Sequence, residues 1–306
     1  MNIIKKRILQ CFFKDIHSLK DMEDPEFGKE LTRLKNKVKK YATPKEEVKK
    51  QMDIELCEIE GGIYYRAQDK KNKNKNKKVL YIHGGAFFLE AIDKHWKFCL
   101  RLSKETGCEV YFPFYPLVPE SNSEASHNML ISVYKEMIKD NKPEDITIIG
   151  DSVGGTLALT LSMFVRESGL PVPNEIILMT PVFIIEDLDE EESKRLEEIK
   201  KYDNYINEFP IEKLIELWRG NLEKEDYRVN PMKGSLKGLP HITIFSGTYD
   251  VMNIPTRKLV SRMKEEGHPH HYEEKENGEH LYVVSKKSKN ELDLIISRVM
   301  GNSLSK

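Results

Sequence analysis

Asp145-Ile146-Thr147-Ile148-Ile149-Gly150-Asp151-Ser152-Val153-Gly154-Gly155 reads as a buried strand, a sharp turn and a helix opening at Thr156. Within it Gly150 and Gly154 stand two residues either side of Ser152. A serine at the apex of a strand-to-helix turn sits in strained backbone, and neighbours at minus two and plus two avoid collision only without side chains. Such a turn lifts the hydroxyl into a pocket. It also brings the helix N-terminus and the Val153 N–H to where negative charge would form on an attacked carbonyl. Taken alone the pattern equally fits an ordinary glycine-containing turn. The strand before it and the helical spacing of Leu157, Ala158, Leu161, Phe164 and Val165 behind it supply the context, so the question becomes whether Ser152 has partners.

The 306 residues suit one α/β domain with an insertion or two modest domains. With 49 Lys and Arg against 50 Asp and Glu, no overall field recruits nucleic acid. Cys11, Cys57, Cys99 and Cys108 are scattered, without metal-ligand spacing, and read as small buried hydrophobes in a reducing compartment. No cofactor or metal is expected. The N-terminus has early positive charge, but its apolar residues are too interrupted for a signal peptide, and no run of 18 apolar residues occurs. The expectation is a soluble cytoplasmic protein without a membrane span or membrane contact. Its oligomeric state is left open.

Ile4, Ile8, Phe12, Ile16 and Leu19 fall on one helical face, which fits a helix packed on its own domain or forming a lid, with an interfacial lipid-docking helix as the alternative. Ile54–Ile59 and Ile63–Arg66 form a hairpin about Gly61-Gly62. The basic tract 70–78 lacks interleaved aromatics and reads as a solvated, mobile loop rather than a phosphate site. Val79–Ile82 is a strand that runs into His83-Gly84-Gly85-Ala86-Phe87. Glycines there let backbone N–H groups face a ligand oxygen, while the same residues also fit a plain turn with His83 bracing it. A helix (Trp96 to Thr106), a strand (Val110 to Phe114), a helix (about Ser123 to Lys139) and the strand Glu175–Met179 follow. This alternation argues for a mostly parallel sheet with helices on both faces. From Ile185 to Asn221 the pattern turns acidic and helical, an insertion suited to cover a site. Leu239–Gly247 resumes the sheet, followed by a helix (Thr256 to Glu266), a short strand (His270 to Glu274) and a closing helix (Glu291 to Met300).

A serine hydroxyl needs a base, and a histidine base needs a carboxylate to fix its tautomer and stabilise the imidazolium. Asp250 follows an apolar strand and His280 lies in a turn after the next, both on the side of Ser152. Asp151 is too close to Ser152 to serve, and His268, His270 and His271 fall in a turn or strand that buries or solvates them.

At these residues the chain resembles the hormone-sensitive-lipase-like esterases of the α/β-hydrolase superfamily. The signatures are His83-Gly84-Gly85-Ala86, Tyr115-Pro116-Leu117-Val118-Pro119-Glu120, Gly150-Asp151-Ser152-Val153-Gly154-Gly155, Asn230-Pro231, Gly238-Leu239-Pro240, Gly247-Thr248-Tyr249-Asp250 and a late His280. The likeness covers roughly residues 54 to 300 and implies an α/β-hydrolase fold, a mostly parallel central sheet flanked by helices, with a helical cap. By it Ser152 is the nucleophile, His280 the base, Asp250 the orienting acid, and the N–H groups of Gly84, Gly85 and Val153 the oxyanion hole. Residues 51–184 and 231–306 would form the catalytic core, and 1–50 and 185–230 the cap. Three departures stand out: Val153 where alanine is usual, Ala86 where a third glycine is common, and Val251-Met252-Asn253-Ile254 in place of an acidic pair. The implied activity is hydrolysis of small-molecule short- to medium-chain acyl esters. An amidase or peptidase sharing the triad, or a receptor on the same scaffold, are the alternatives. His280 argues against the receptor.

Overall fold

Runs of β-branched and aliphatic residues on both sides of a strand can be stable only if both faces of the sheet are covered, and that requirement shapes the whole chain. The computed structural model describes residues 16, 18–23, 25–39, 42–285 and 288–301. Helix α1 (Glu26–Lys39) and the single turn α2 (Glu46–Lys49) precede the hairpin β1 (Met52–Ile59) and β2 (Gly62–Asp69). Then come β3 (Lys78–Ile82), α3 (Asp93–Thr106), β4 (Glu109–Phe114), α4 (Ser123–Asp140), β5 (Ile146–Asp151), α5 (Val153–Glu167) and β6 (Glu175–Met179). Helices α6 (Glu190–Ile199) and α7 (Ile211–Arg219) separate β6 from β7 (His241–Gly247), and α8 (Asn253–Glu265), β8 (His270–Lys275) and α9 (Lys289–Met300) close the chain.

The eight strands form one sheet in the order β1-β2-β4-β3-β5-β6-β7-β8. β2 pairs antiparallel with β1 and β4, and every neighbour from β4 to β8 is parallel. Successive side chains of the central strands go to opposite faces. Leu80, Ile82, Ile148, Ile176 and Leu178 meet α4, α5 and α8 on one side, while Val79, Tyr81, Ile149, Ile177 and Met179 meet α3 and α9 on the other. This is the doubly covered, mostly parallel sheet that the strand and helix alternation implied.

Several boundaries differ from the sequence reading. Both hairpin strands run longer, because Asp69 at the end of β2 is held by the Ser103 hydroxyl (2.8 Å). α5 begins at Val153 instead of Thr156, directly behind the serine, and α8 begins at Asn253 instead of Thr256, before Pro255. A proline in the first turn costs a helix nothing, which hid that start. The basic tract after Lys70 is exposed but pinned. Asp69 Oδ1 accepts the N–H groups of Lys71 (2.9 Å) and Asn72 (2.8 Å), and Asn74 N–H donates to Gly107 O (2.7 Å).

Among the described N-terminal residues Ile16, Leu19, Phe27, Leu31 and Leu34 are buried in the main core. Ile4, Ile8 and Phe12 lie outside the described residues. The segment is tied to α7, whose Lys213 donates to Lys20 O (2.6 Å) and Met22 O (2.8 Å). Leu214 and Trp218 of α7 are buried, and Trp218 stacks on Phe87 with ring centroids 4.1 Å apart. Among the described residues no helix is long and apolar enough to cross a membrane.

Trp96 of α3 is fully buried, meets Tyr65, Phe112 and Phe114, and donates its indole N–H to Ala42 O (2.7 Å). It therefore pins the chain before β1 to the sheet. Trp96→Ala is expected to lower unfolding stability by about 3–5 kcal/mol in urea titration. A loss below about 1 kcal/mol would show that the N-terminal connection is not fixed through this ring.

Candidate active site

The site begins where β5 meets α5. Ser152 has φ 56° and ψ −127°, a backbone region that a residue with a Cβ seldom occupies. Three backbone bonds hold it there: Ser152 N–H donates to Met179 O (3.0 Å), and Ser152 O accepts from Gly155 (2.9 Å) and Val182 (3.2 Å). The flanking glycines are required by contact. A Cβ on Gly150 would lie 1.9 Å from Gly154 O, and one on Gly154 would lie 2.1 Å from Ile82 O.

Asp250 lies beyond β7 and His280 beyond β8, and the two loops are seated on each other. Tyr249 N–H donates to Gly278 O (2.9 Å), and a Cβ on Gly247 would sit 2.1 Å from that same oxygen. This close approach brings the side chains together. Ser152 Oγ lies 2.9 Å from His280 Nε2, and His280 Nδ1 donates to Asp250 Oδ2 at 2.7 Å. The other carboxylate oxygen of Asp250 accepts Met252 N–H (2.9 Å). Ser152, Asp250 and His280 are all buried.

Gly84, Gly85 and Val153 border the serine from β3 and the start of α5. Their N–H groups make no hydrogen bond among the described residues. Gly84 must be glycine, since a Cβ there would come within 2.7 Å of Asp151 Oδ2 and 2.8 Å of Ser152 Cβ. Gly85 has φ 136°, and Ala86 and Phe87 follow at 51° and 62°. His83 braces this turn and does not face the serine. Its Nδ1–H donates to Gly84 O (2.7 Å), its carbonyl accepts the Tyr115 hydroxyl (2.8 Å), and its ring stacks on Tyr115.

Asp151 points away from His280, behind the glycine turn. Its Oδ1 accepts the Tyr81 hydroxyl (2.6 Å), and His95 Nε2 lies 3.6 Å from Oδ2, an ion-pair distance too long for a hydrogen bond. Burial opposes ionisation of Asp151, but His95 and the Tyr81 hydroxyl outweigh it and hold the carboxyl at about 2. His268 instead faces Pro240 O (3.1 Å), and His270 and His271 are half-buried on β8. The sequence reading missed Tyr81, His95 and Tyr115, since nothing in a lone aromatic or histidine marks it as support for a distant turn.

A cleft of about 860 Å³ with both apolar and charged walls opens between the N-terminal segment, the chain after β6 and α7. Met22, Phe27, Phe183, Ile185, Ile215 and Leu217 are among its walls. Phe183 follows Val182, whose N–H is bonded to the serine carbonyl. Among the described residues no group of three or more His, Cys, Asp or Glu is arranged to hold a metal ion.

The chain belongs to the alpha/beta hydrolase fold family, which residues 79–284 match. It is 29% identical over 173 residues to the triacylglycerol lipase of Mycobacterium tuberculosis, a stretch covering 56% of this chain and 34% of that protein. It is 31% identical over 177 residues to an esterase of Acinetobacter venetianus, covering 57% of each. The matched stretches thus span from a third to little more than half of these relatives. A crystal structure described as an esterase from the bacterial hormone-sensitive lipase family superposes with a TM-score of 0.75 at 17% identity, covering 96% of this chain and 97% of the other. That likeness extends the shared fold over nearly the whole chain, beyond the family match.

Two outcomes follow from the site's construction. Gly154→Ala is expected to destabilise the fold by about 3 kcal/mol or more, visible as a fall in unfolding temperature, because the colliding atoms are backbone. An unchanged midpoint would mean that the turn has slack. Burial pushes the imidazoles of His83 and His127 down to about 4. Because the folded values lie below the unfolded ones, this stability is present in full above about pH 6.5 and is lost as pH falls towards 4. The unfolding temperature should therefore decline across that window. A midpoint that stays flat from pH 7 to 4.5 would contradict it.

Proposed function

We propose that the protein is a serine carboxylic-ester hydrolase acting on short- to medium-chain acyl esters through an acyl-enzyme. The observation that carries this reading is the continuous chain of short contacts from Ser152 Oγ through His280 to Asp250, at 2.9 and 2.7 Å. His280 Nε2 takes the hydroxyl proton as Ser152 Oγ bonds to the ester carbon. Asp250, accepting from Nδ1, favours the imidazolium so formed. The carbonyl oxygen becomes an anion that the N–H groups of Gly84, Gly85 and Val153 receive, with the positive end of α5 behind Val153. Collapse breaks the bond to the alcohol, which leaves with the proton from His280. Water then attacks the acyl-enzyme with His280 as base, and the carboxylic acid departs as Ser152 regains its proton.

The printed descriptions of the two sequence relatives, a triacylglycerol lipase and an esterase, support ester chemistry. The apolar wall of the cleft, which includes Phe27, Phe183 and Leu217, suits an acyl chain, and in this reading residues 1–50 and 185–230 are the cap. Small-molecule esters, without nucleic acid or membrane contact, are the substrates of this reading. A cytoplasmic setting goes with it, because Cys99 and Cys108 are buried and unbridged, and burial raises both thiols.

Hydrolysis of p-nitrophenyl acetate, butyrate and octanoate tests the proposal. The wild-type protein should turn over these esters, whereas Ser152→Ala or His280→Ala should lower kcat by about three to six powers of ten. Equal rates for wild type and Ser152→Ala would overturn it.

A further inference from the structure

Residues 202–204, in the insertion between β6 and β7, touch both loops that carry the acid and the base. The ring of Tyr202 stacks on Tyr249, with centroids 4.4 Å apart and planes 9° from parallel. The Asp203 carboxylate, 4% exposed, accepts Val251 N–H through Oδ2 at 2.9 Å. Tyr249 and Val251 are the residues on either side of Asp250. The next residue, Asn204, reaches Glu279 Oε1 (3.4 Å), immediately before His280. Three consecutive residues of the insertion thus touch the immediate neighbours of Asp250 and His280.

Asp203 is built into place. Its Oδ1 accepts the N–H groups of Tyr205 (2.8 Å) and Asn207 (3.3 Å), and its own N–H donates to Ile199 O (3.0 Å) at the end of α6. A buried carboxylate with N–H donors on both oxygens is a strong, directional anchor. The Val251 peptide it holds lies between Asp250 and Met252, whose N–H fixes the second oxygen of Asp250. The Val251 N–H belongs to the peptide joining Asp250 to Val251, whose carbonyl accepts Asn253 N–H (2.9 Å), so losing the Asp203 acceptor removes one of the two hydrogen bonds that hold the peptide plane and loosens the seat of the Asp250 carboxylate.

We infer that Asp203 is a positioning residue for the triad, assisted by the Tyr202 ring: the insertion clasps the acid loop from outside and sets the orientation of Asp250 towards His280. The inference rests on the hydrolase reading above. It assigns the insertion a part in proton transfer besides covering the site. Asp250 and Ser152 touch the His280 ring. About its loop lie Glu279, which faces Tyr205, Tyr282 with Glu273 and Glu291 near it, Lys275, which pairs with Glu291 (3.4 Å), and Arg101, which donates to Ser285 O (3.3 Å).

The test compares wild type with Asp203→Ala, Asp203→Asn, Tyr202→Ala and Tyr202→Phe on p-nitrophenyl butyrate from pH 5 to 9, with unfolding temperatures in parallel and Ser152→Ala as reference. A carboxylate that turns away from the imidazole stabilises the imidazolium less, so the acid limb of kcat/KM should move to lower pH by about half a unit or more. Asp203→Ala should lose about 10- to 100-fold in kcat while KM changes less than about threefold. Asp203→Asn keeps the shape but must turn an NH2 towards one of its three donors, so its loss should be intermediate. Tyr202→Phe keeps the ring and should restore what Tyr202→Ala loses. If Asp203→Ala does not fold, Asp203→Asn and Tyr202→Ala decide the matter. Folded variants with the wild-type acid limb and kcat, or losses that track folded fraction while the limb stays still, would overturn the inference. Persistence of activity in Ser152→Ala would instead refute the hydrolase reading itself.

Discussion

Ser152 occupies a backbone conformation that costs a side-chain-bearing residue on the order of 1–3 kcal/mol, and the fold holds it there by contact on every side. Gly150 lies against Gly154, Gly154 against the carbonyl of Ile82, and the serine carbonyl accepts two N–H groups. Each contact depends on a different strand or helix. The turn therefore exists only when β3, β5, β6 and α5 are assembled, and the position of the hydroxyl is set by the sheet and not by the serine's own rotamer preferences alone. Side chains delivered by β7 and β8 can then meet it at fixed distances.

The surroundings divide into two electrostatic halves. On one side lie the N–H groups of Gly84, Gly85 and Val153, which have no hydrogen-bond acceptor among the described residues and which the proposed mechanism uses to receive an anion. On the other, Asp250 faces His280, while the ionised Asp151 is buried behind the glycine turn and turned towards Tyr81 and His95. The two neighbouring carboxylates thus have separate surroundings. Asp250 is available to the imidazole, and Asp151 with its aromatic partners supports the turn that carries Gly84 and Gly85.

Much of this was legible in the residues. The period-two and unbroken apolar runs marked the strands, and the glycine pattern about Ser152 marked the turn, because each follows from local sterics. Asp250 after an apolar strand and His280 in the turn after the next strand were legible in order, and the two side chains lie against each other, with His280 against Ser152. What could not be read was everything that depends on packing between distant elements. Tyr81 and His95 approach Asp151 only because β3 pairs beside β5 and α3 packs on the sheet, and Asp203 meets Val251 only once the insertion between β6 and β7 packs against the acid loop. Leu214 and Trp218 were legible as an apolar face, yet their seat beside Phe87 was not. The basic tract after Lys70 is the exposed loop its composition implied, but its anchors on Asp69 and the Gly107 carbonyl are not revealed by composition.

The central claim is that the hydroxyl of Ser152 is an activated nucleophile because His280 takes its proton. Treatment with a fluorophosphonate, followed by intact-mass measurement and peptide mapping, tests this most directly. The account requires a single phosphonyl adduct on Ser152 in the wild-type protein, formed far more slowly when His280 is replaced by alanine. A protein that gains no adduct, or gains one at another residue at an undiminished rate in the His280 variant, would contradict it.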